Sequence, residues 1–344
     1  MPVHESQPAY AGAVIARLLE SRLLRWGFVL VALVLCGVAL SRSWDDIRLA
    51  ATEISWPLVV GAQVAVIVGI GLTVLGWRRL LADLGSPLPV GASVRIVSLS
   101  QLGKYVPGSI WPFVAQVELG HRHGVPRRRS ATVSVLVVLI SLVTALLVAA
   151  VTLPFGASGT ARTYWWGLAA APVLAALLHP AILNRVLDWL LRVTRRPPLE
   201  RRLSLVGVLG CAGWSAASWL VIGAHVWLLA RGFGASGSEL YLTATGAFAL
   251  AWSIGFVIVV APAGAGVREV VLVAALSSVL DPGKVLLLVI ISRVVMTIGD
   301  LFWAGAGLVL GRAHASTQAD LNREAEAARE LARQHRSPSD RAVD

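Results

Sequence analysis

Apolar runs close to the length of a membrane span succeed one another along this chain. They cover residues 26–40 (reaching back to Leu23), 58–76, 131–153, 165–183, 203–229, 240–261 and 285–310. A helix that crosses the hydrocarbon core needs about 20 mainly apolar residues, so these runs predict spanning helices. Tryptophan marks many of their ends: Trp26 and Trp44, Trp56 and Trp77, Trp165 and Trp166. That is the aromatic belt expected at a membrane–water boundary. Two stretches break the pattern. Residues 90–120 are polar and interrupted at Pro107-Gly108, and the run 240–261 gives way to Pro262-Ala263-Gly264-Ala265-Gly266. Irregular backbone at membrane depth survives only where protein buries it or water reaches it. Both stretches are therefore predicted as re-entrant, broken hairpins facing a cavity.

Arginine orients the runs. Arg17, Arg22 and Arg25 precede the first, and Arg78 and Arg79 follow the second. Arg122, Arg127, Arg128 and Arg129 precede the third, and six arginines fill residues 185–202. The alternate loops hold only Arg42, Arg48, Arg162 and Arg231. Positive residues stay on the cytoplasmic side, which puts both termini there. Arg79 and Arg127 then share a side, so the chain between them crosses an even number of times, as a hairpin does. The expected fold is all-α and polytopic, with about six spans plus two broken hairpins, or up to eight crossings if hairpins are counted. Residues 1–22 are a cytoplasmic start, 23–311 the transmembrane domain, and 312–344 a charged cytoplasmic tail. The plan repeats, at residues 23–153 and 165–311, entering from opposite sides. Such an inverted repeat with discontinuous helices is a transporter architecture.

Composition agrees. The chain is 56% hydrophobic and 14% charged, against about 25% charged in soluble domains. Its formal charge of +11 sits in loops between apolar runs, and no nucleic-acid-binding motif accompanies it. Cys36 and Cys211 both lie inside apolar runs, so there is no disulfide framework and no metal-ligand spacing. Nothing calls for a cofactor.

A few charges lie where charge is costly. Lys104 is one of two lysines and sits inside the first broken segment; Arg268 and Glu269 follow the second turn; Arg293 and Asp300 lie in the last run. Seven residues separate the last two, so they share nearly one helical face, with Thr297 between them. Each such charge costs roughly 2.5–3.5 kcal/mol at a helix centre, so the five must pair or line water. The pairs Glu269–Arg293 and Lys104–Asp300 would make a structural network. The functional reading, compatible with it, is a polar cavity for a charged headgroup, whose turns are Gly103, Pro107, Gly108, Pro262, Gly264 and Gly266.

Gly103-Lys104-Tyr105-Val106-Pro107-Gly108-x-x-Trp111 and Pro262-Ala263-Gly264-Ala265-Gly266-Val267-Arg268-Glu269 resemble the two signature segments of the lysylphosphatidylglycerol synthase transmembrane-region family. Ile291-Ser292-Arg293 is similar to the family's segment in the last span. The second segment departs at Ala263 and Ala265, where the family usually has Gly and a larger apolar residue. The resemblance runs from about Arg25 to Arg312. It implies a flippase-like protein of the bacterial plasma membrane, related to the membrane part of the multiple peptide resistance factor. The resemblance also implies movement of a lipid headgroup across the bilayer. Only a short tail follows Arg312, so no aminoacyl-transfer domain is expected and the chain is read as a non-enzyme. Its expected partner is a phospholipid or polyprenyl-phosphate lipid, with self-association or an envelope-biosynthesis enzyme as further partners.

Other constellations compete. Asp45-Asp46, in the first outside loop, could serve a lipid-linked glycosyltransferase; Ser43-x-Asp45 is equally a helix cap. A third reading is a non-transporting partner of an envelope enzyme. Ser218 and His225 share a helical face, but no nucleophile elbow or orienting acid accompanies them, so His225 is read as a satisfied polar residue. Gln116 and Glu118 follow the first segment, facing cavity or cytoplasm.

Overall fold

The computed structural model describes residues 54–105, 110–156, 165–193, 201–258, 266–277 and 279–334, with side chains described as far as Leu310. These residues form helices and no strand, and the all-α polytopic expectation holds. Pro107, Gly108, Pro262 and Gly264 lie outside them, as do Asp45 and Asp46.

The described residues form ten α-helices, in chain order: α1 (Trp56–Asp83), α2 (Val90–Gln101), α3 (Trp111–Arg122), α4 (Arg127–Thr152), α5 (Trp166–Leu177), α6 (Pro180–Val193), α7 (Leu205–Gly232), α8 (Leu240–Val257), α9 (Val267–Leu276) and α10 (Pro282–Gln334). Among the described residues, five segments are long and apolar enough to cross a membrane: α1, α4 with its terminal turn, α7, α8, and α10 as far as Leu310. At 28 residues, α1 and α7 each run about 42 Å, more than the roughly 30 Å of hydrocarbon. The end of α1 is set by Gly85, whose φ of 88° lets the Ser86 N–H reach back to Leu81 O at 3.1 Å.

α1 and α7 pack antiparallel along their whole length. Ser55 N–H bonds Gly232 O (3.3 Å) at one end, and Ser204 N–H bonds the Asp83 carboxylate (2.9 Å) at the other. Midway, Ser218 Oγ donates to Gly69 O at 2.8 Å. A Cβ on Gly69 would lie 2.3 Å from Ile222 Cγ1, so the backbones meet over a hydrogen atom. Lipid offers no hydrophobic drive for helix pairing, and small residues that permit such closeness supply the contact instead.

The two broken stretches differ in shape. Residues 90–122 form two short arms, α2 and α3, of 12 residues each. Each is about 18 Å long, too short to span. A 3₁₀ turn, Leu102–Tyr105, follows α2. The later stretch pairs α8, of 18 residues, with the 10-residue α9, so one arm is long enough to cross and the other is not.

One expectation needs correction. Residues 165–183 are not a single straight span: the chain bends by 66° between α5 and α6. Pro180 is the cause, because it has no N–H for the preceding helix and disfavours helical backbone at His179. The charged tail continues α10 without a break to Gln334.

Exchanging α1 with α7, α2 with α8, α3 with α9 and α4 with α10 maps the α1–α7 pair onto itself and each other closely packed pair among these eight helices onto another such pair. The exchange holds at residue level too. A Cβ on Gly307 of α10 would lie 3.1 Å from Arg95 Cα of α2, and one on Gly246 of α8 would lie 2.5 Å from Thr152 Oγ1 of α4.

Candidate functional site

The charged residues of three separate segments meet along one face of α10. Lys104, on the 3₁₀ turn after α2, places Nζ 2.6 Å from Asp300 Oδ2. Its neighbour Tyr105 donates its hydroxyl to the same oxygen at 2.6 Å. Asp300 is therefore held twice, and its side chain is only 4% exposed against 28% for Lys104. Two turns earlier, about 10 Å along the axis, Arg293 Nε lies 3.6 Å from Glu269 Oε1. Glu269 also accepts the Gly266 N–H at 2.7 Å through Oε2, which caps the start of α9. Arg293 and Glu269 stay about one-third exposed, so this end of the cluster is open.

Glycine shapes both supports. Gly266 has φ 87°, a left-handed turn that a side chain would strain, and it aims its N–H at Glu269. Gly103 is needed for closeness: a Cβ there would lie 2.8 Å from Pro112 N and 2.9 Å from Trp111 C. The 3₁₀ turn thus sits against the first turn of α3, and this fixes where Lys104 points.

Arg268 completes the cluster. Its guanidinium lies over the Phe248 ring, 5.3 Å from the centroid, and within electrostatic reach of Arg293, Glu269, Asp300 and Tyr105. Among the described residues no carboxylate comes within ion-pair distance of it. Lys104 in turn is repelled by both Arg268 and Arg293. Among the described residues, three cations thus share two carboxylates that are already engaged. An anion entering among them would relieve the repulsion, whereas a further cation would add to it.

Both ion pairs anticipated from sequence form, and all five charged residues come together. Tyr105 and Phe248 were missed. Tyr105 had a signal, its place beside Lys104 in the first segment; Phe248 had none, since its role depends on α8 lying beneath α9. The weaker candidates among the described residues have partners within the fold. Ser218 is bonded to Gly69 O, while His225 is buried with Nε2 2.8 Å from Ser292 Oγ and its ring edge against Phe248. Gln116 is buried and accepts from Ser134 Oγ. Glu118 instead pairs with Arg127 at 3.2 Å on the exposed end of α3.

Helices of this length and apolarity, with an ionic cluster enclosed among them, define an integral membrane protein that crosses the bilayer several times. The chain belongs to the lysylphosphatidylglycerol synthase TM region family, whose model matches residues 21–304. The resemblance seen in the three segments is thereby borne out, and the family's role is lipid-related. No curated protein matches the chain closely enough for comparison.

Proposed function

We propose that this protein is a flippase-like transporter that carries a lipid phosphate, of a phospholipid or a polyprenyl-phosphate lipid, across a bacterial plasma membrane. The observation that carries the reading is the charge imbalance of the cluster among the described residues: Lys104, Arg268 and Arg293 against Asp300 and Glu269, with Arg268 resting on an aromatic face. A charge inside a membrane domain is a functional-site hypothesis by default, and an excess cation favours an anionic headgroup. Arg268 is the primary phosphate contact in this reading. Arg293 and Lys104 add to its field, and Glu269 and Asp300 hold them in place. Gly103 and Gly266 support the segments that bring these groups together, with Pro107, Gly108, Pro262 and Gly264 as the proposed cavity turns.

The exchange of packed helix pairs between α1–α4 and α7–α10 supports the inverted repeat read from the sequence, and both termini are assigned to the cytoplasm from the arginine distribution. No reaction is assigned to the chain; the lipid itself is the proposed partner. The test is reconstitution into vesicles containing labelled phosphatidylglycerol, with headgroup accessibility measured from outside. Arg268→Gln should keep wild-type thermal stability and slow lipid movement at least about tenfold, the effect of losing roughly 1.4 kcal/mol of anion stabilisation. A stable variant moving lipid at the wild-type rate would remove Arg268 from the mechanism.

A further inference from the structure

We propose that α6 is an interfacial helix that gathers anionic phospholipid headgroups at the arginine-rich end of the helix bundle. α6 is the most strongly amphipathic helix among those described. Its apolar arc is wider than the protein uses. Leu183, Leu187 and Leu191 are buried with Leu84, Val125 and Leu203. Those three close α1, precede α4 and precede α7, so α6 lies across one end of the bundle. Asn184 fixes it there, bonding both Leu203 N and Leu203 O at 3.1 Å. Beside this stripe, at helical spacing, Val186, Trp189 and Val193 are exposed, by 44%, 59% and 61%.

The polar arc lies opposite the combined apolar arc. It carries Arg185, Asp188 and Arg192, with both arginines exposed. Arg192 Nε donates to Asp188 O at 3.2 Å, which turns the guanidinium along the helix. The sequence adds Arg195, Arg196, Arg201 and Arg202, with Glu200 as the only other acid of residues 180–202. The 66° turn away from α5 sets the helix across the bundle rather than through it. An amphipathic helix lying in the interface plane sinks its apolar face to the acyl boundary and holds basic residues at headgroup level. Trp189 stands at the border of the two arcs, where such a ring is favoured. A soluble protein partner would not need a segment whose sequence holds six arginines against two acids, with Arg185 and Arg192 exposed on the helix that carries the apolar strip; a leaflet of anionic lipid fits both features.

The experiment uses the full chain with Cys36→Ser and Cys211→Ser, carrying Val186→Cys labelled with an environment-sensitive fluorophore. It is reconstituted in phosphatidylcholine vesicles with and without phosphatidylglycerol. The label should be quenched by lipid-borne doxyl groups and shielded from aqueous iodide. Protein re-extracted from the mixed vesicles should retain phosphatidylglycerol above its bulk share. Arg185→Gln with Arg192→Gln should lower that enrichment by about fivefold per arginine at low salt, while the Val186 label stays lipid-shielded. Three results would overturn the proposal: iodide access to the label in vesicles, cross-linking of two copies through Val186→Cys, or unchanged enrichment in a double variant whose label is still shielded. None of these readouts depends on whether the protein moves lipid.

Discussion

Lys104 and Asp300 meet at 2.6 Å although one follows α2 and the other lies deep in α10, so this ion pair ties the first broken hairpin to the last long helix. Tyr105 shares the same carboxylate oxygen. With Asp300 only 4% exposed, the pair acts first as a structural clamp, and its neighbours decide what else the cluster does.

Removing Lys104 alone should therefore unbalance the fold. Lys104→Ala leaves a buried carboxylate with only a phenol, and should lower stability by about 3 kcal/mol, the lower edge of the range for broken buried pairs because Lys104 keeps some exposure. The double variant Lys104→Ala with Asp300→Ala should be more stable than Lys104→Ala. Thermal unfolding of the three proteins in one detergent checks this; additive losses would mean that the two residues are not coupled.

Tyr105→Phe should separate the hydroxyl from the ring. The lost hydrogen bond to Asp300 should cost about 1–2 kcal/mol, with Lys104 still in place. A wild-type unfolding temperature would show that Asp300 is satisfied by lysine alone.

Gly103→Ala tests the close approach of the 3₁₀ turn to α3. The added methyl meets backbone atoms of Trp111 and Pro112 at under 3 Å, and backbone cannot swing aside as a side-chain tip can. Overpacking of this kind costs about 1–3 kcal/mol, and the shift of Lys104 should weaken its coupling to Asp300. Gly213→Ala, where nothing lies within 4 Å, is the control and should be neutral. Equal behaviour of the two variants would refute the packing argument.

The orientation rests on arginine placement and is open to direct labelling. A thiol introduced by Ser316→Cys should resist impermeant reagents in intact cells, and one introduced by Ser158→Cys should react. Labelling of residue 316 from outside would require one more or one fewer crossing than the two-hairpin plan allows.

The sequence by itself determined the class and much of the plan. Span-length apolar runs and tryptophan at their ends are local consequences of the bilayer as solvent, so they can be read without any contact being known. The same holds for the five costly charges: their expense at membrane depth says that partners must exist. The pairs Lys104–Asp300 and Glu269–Arg293 could be named because so few charges were available to pair. Only tertiary structure decided the rest. That α1 and α7 form one antiparallel pair depends on how Gly69 and Ile222 fit. That α6 leaves the line of α5 depends on Leu183, Leu187 and Leu191 finding partners in Leu84, Val125 and Leu203, which an apolar run cannot announce. Arg268 resting on Phe248 rather than on a carboxylate is likewise a product of packing. Periodicity records which face of a helix is apolar, but the neighbour that covers it is chosen by the shapes of distant segments, and those meet only in the folded chain.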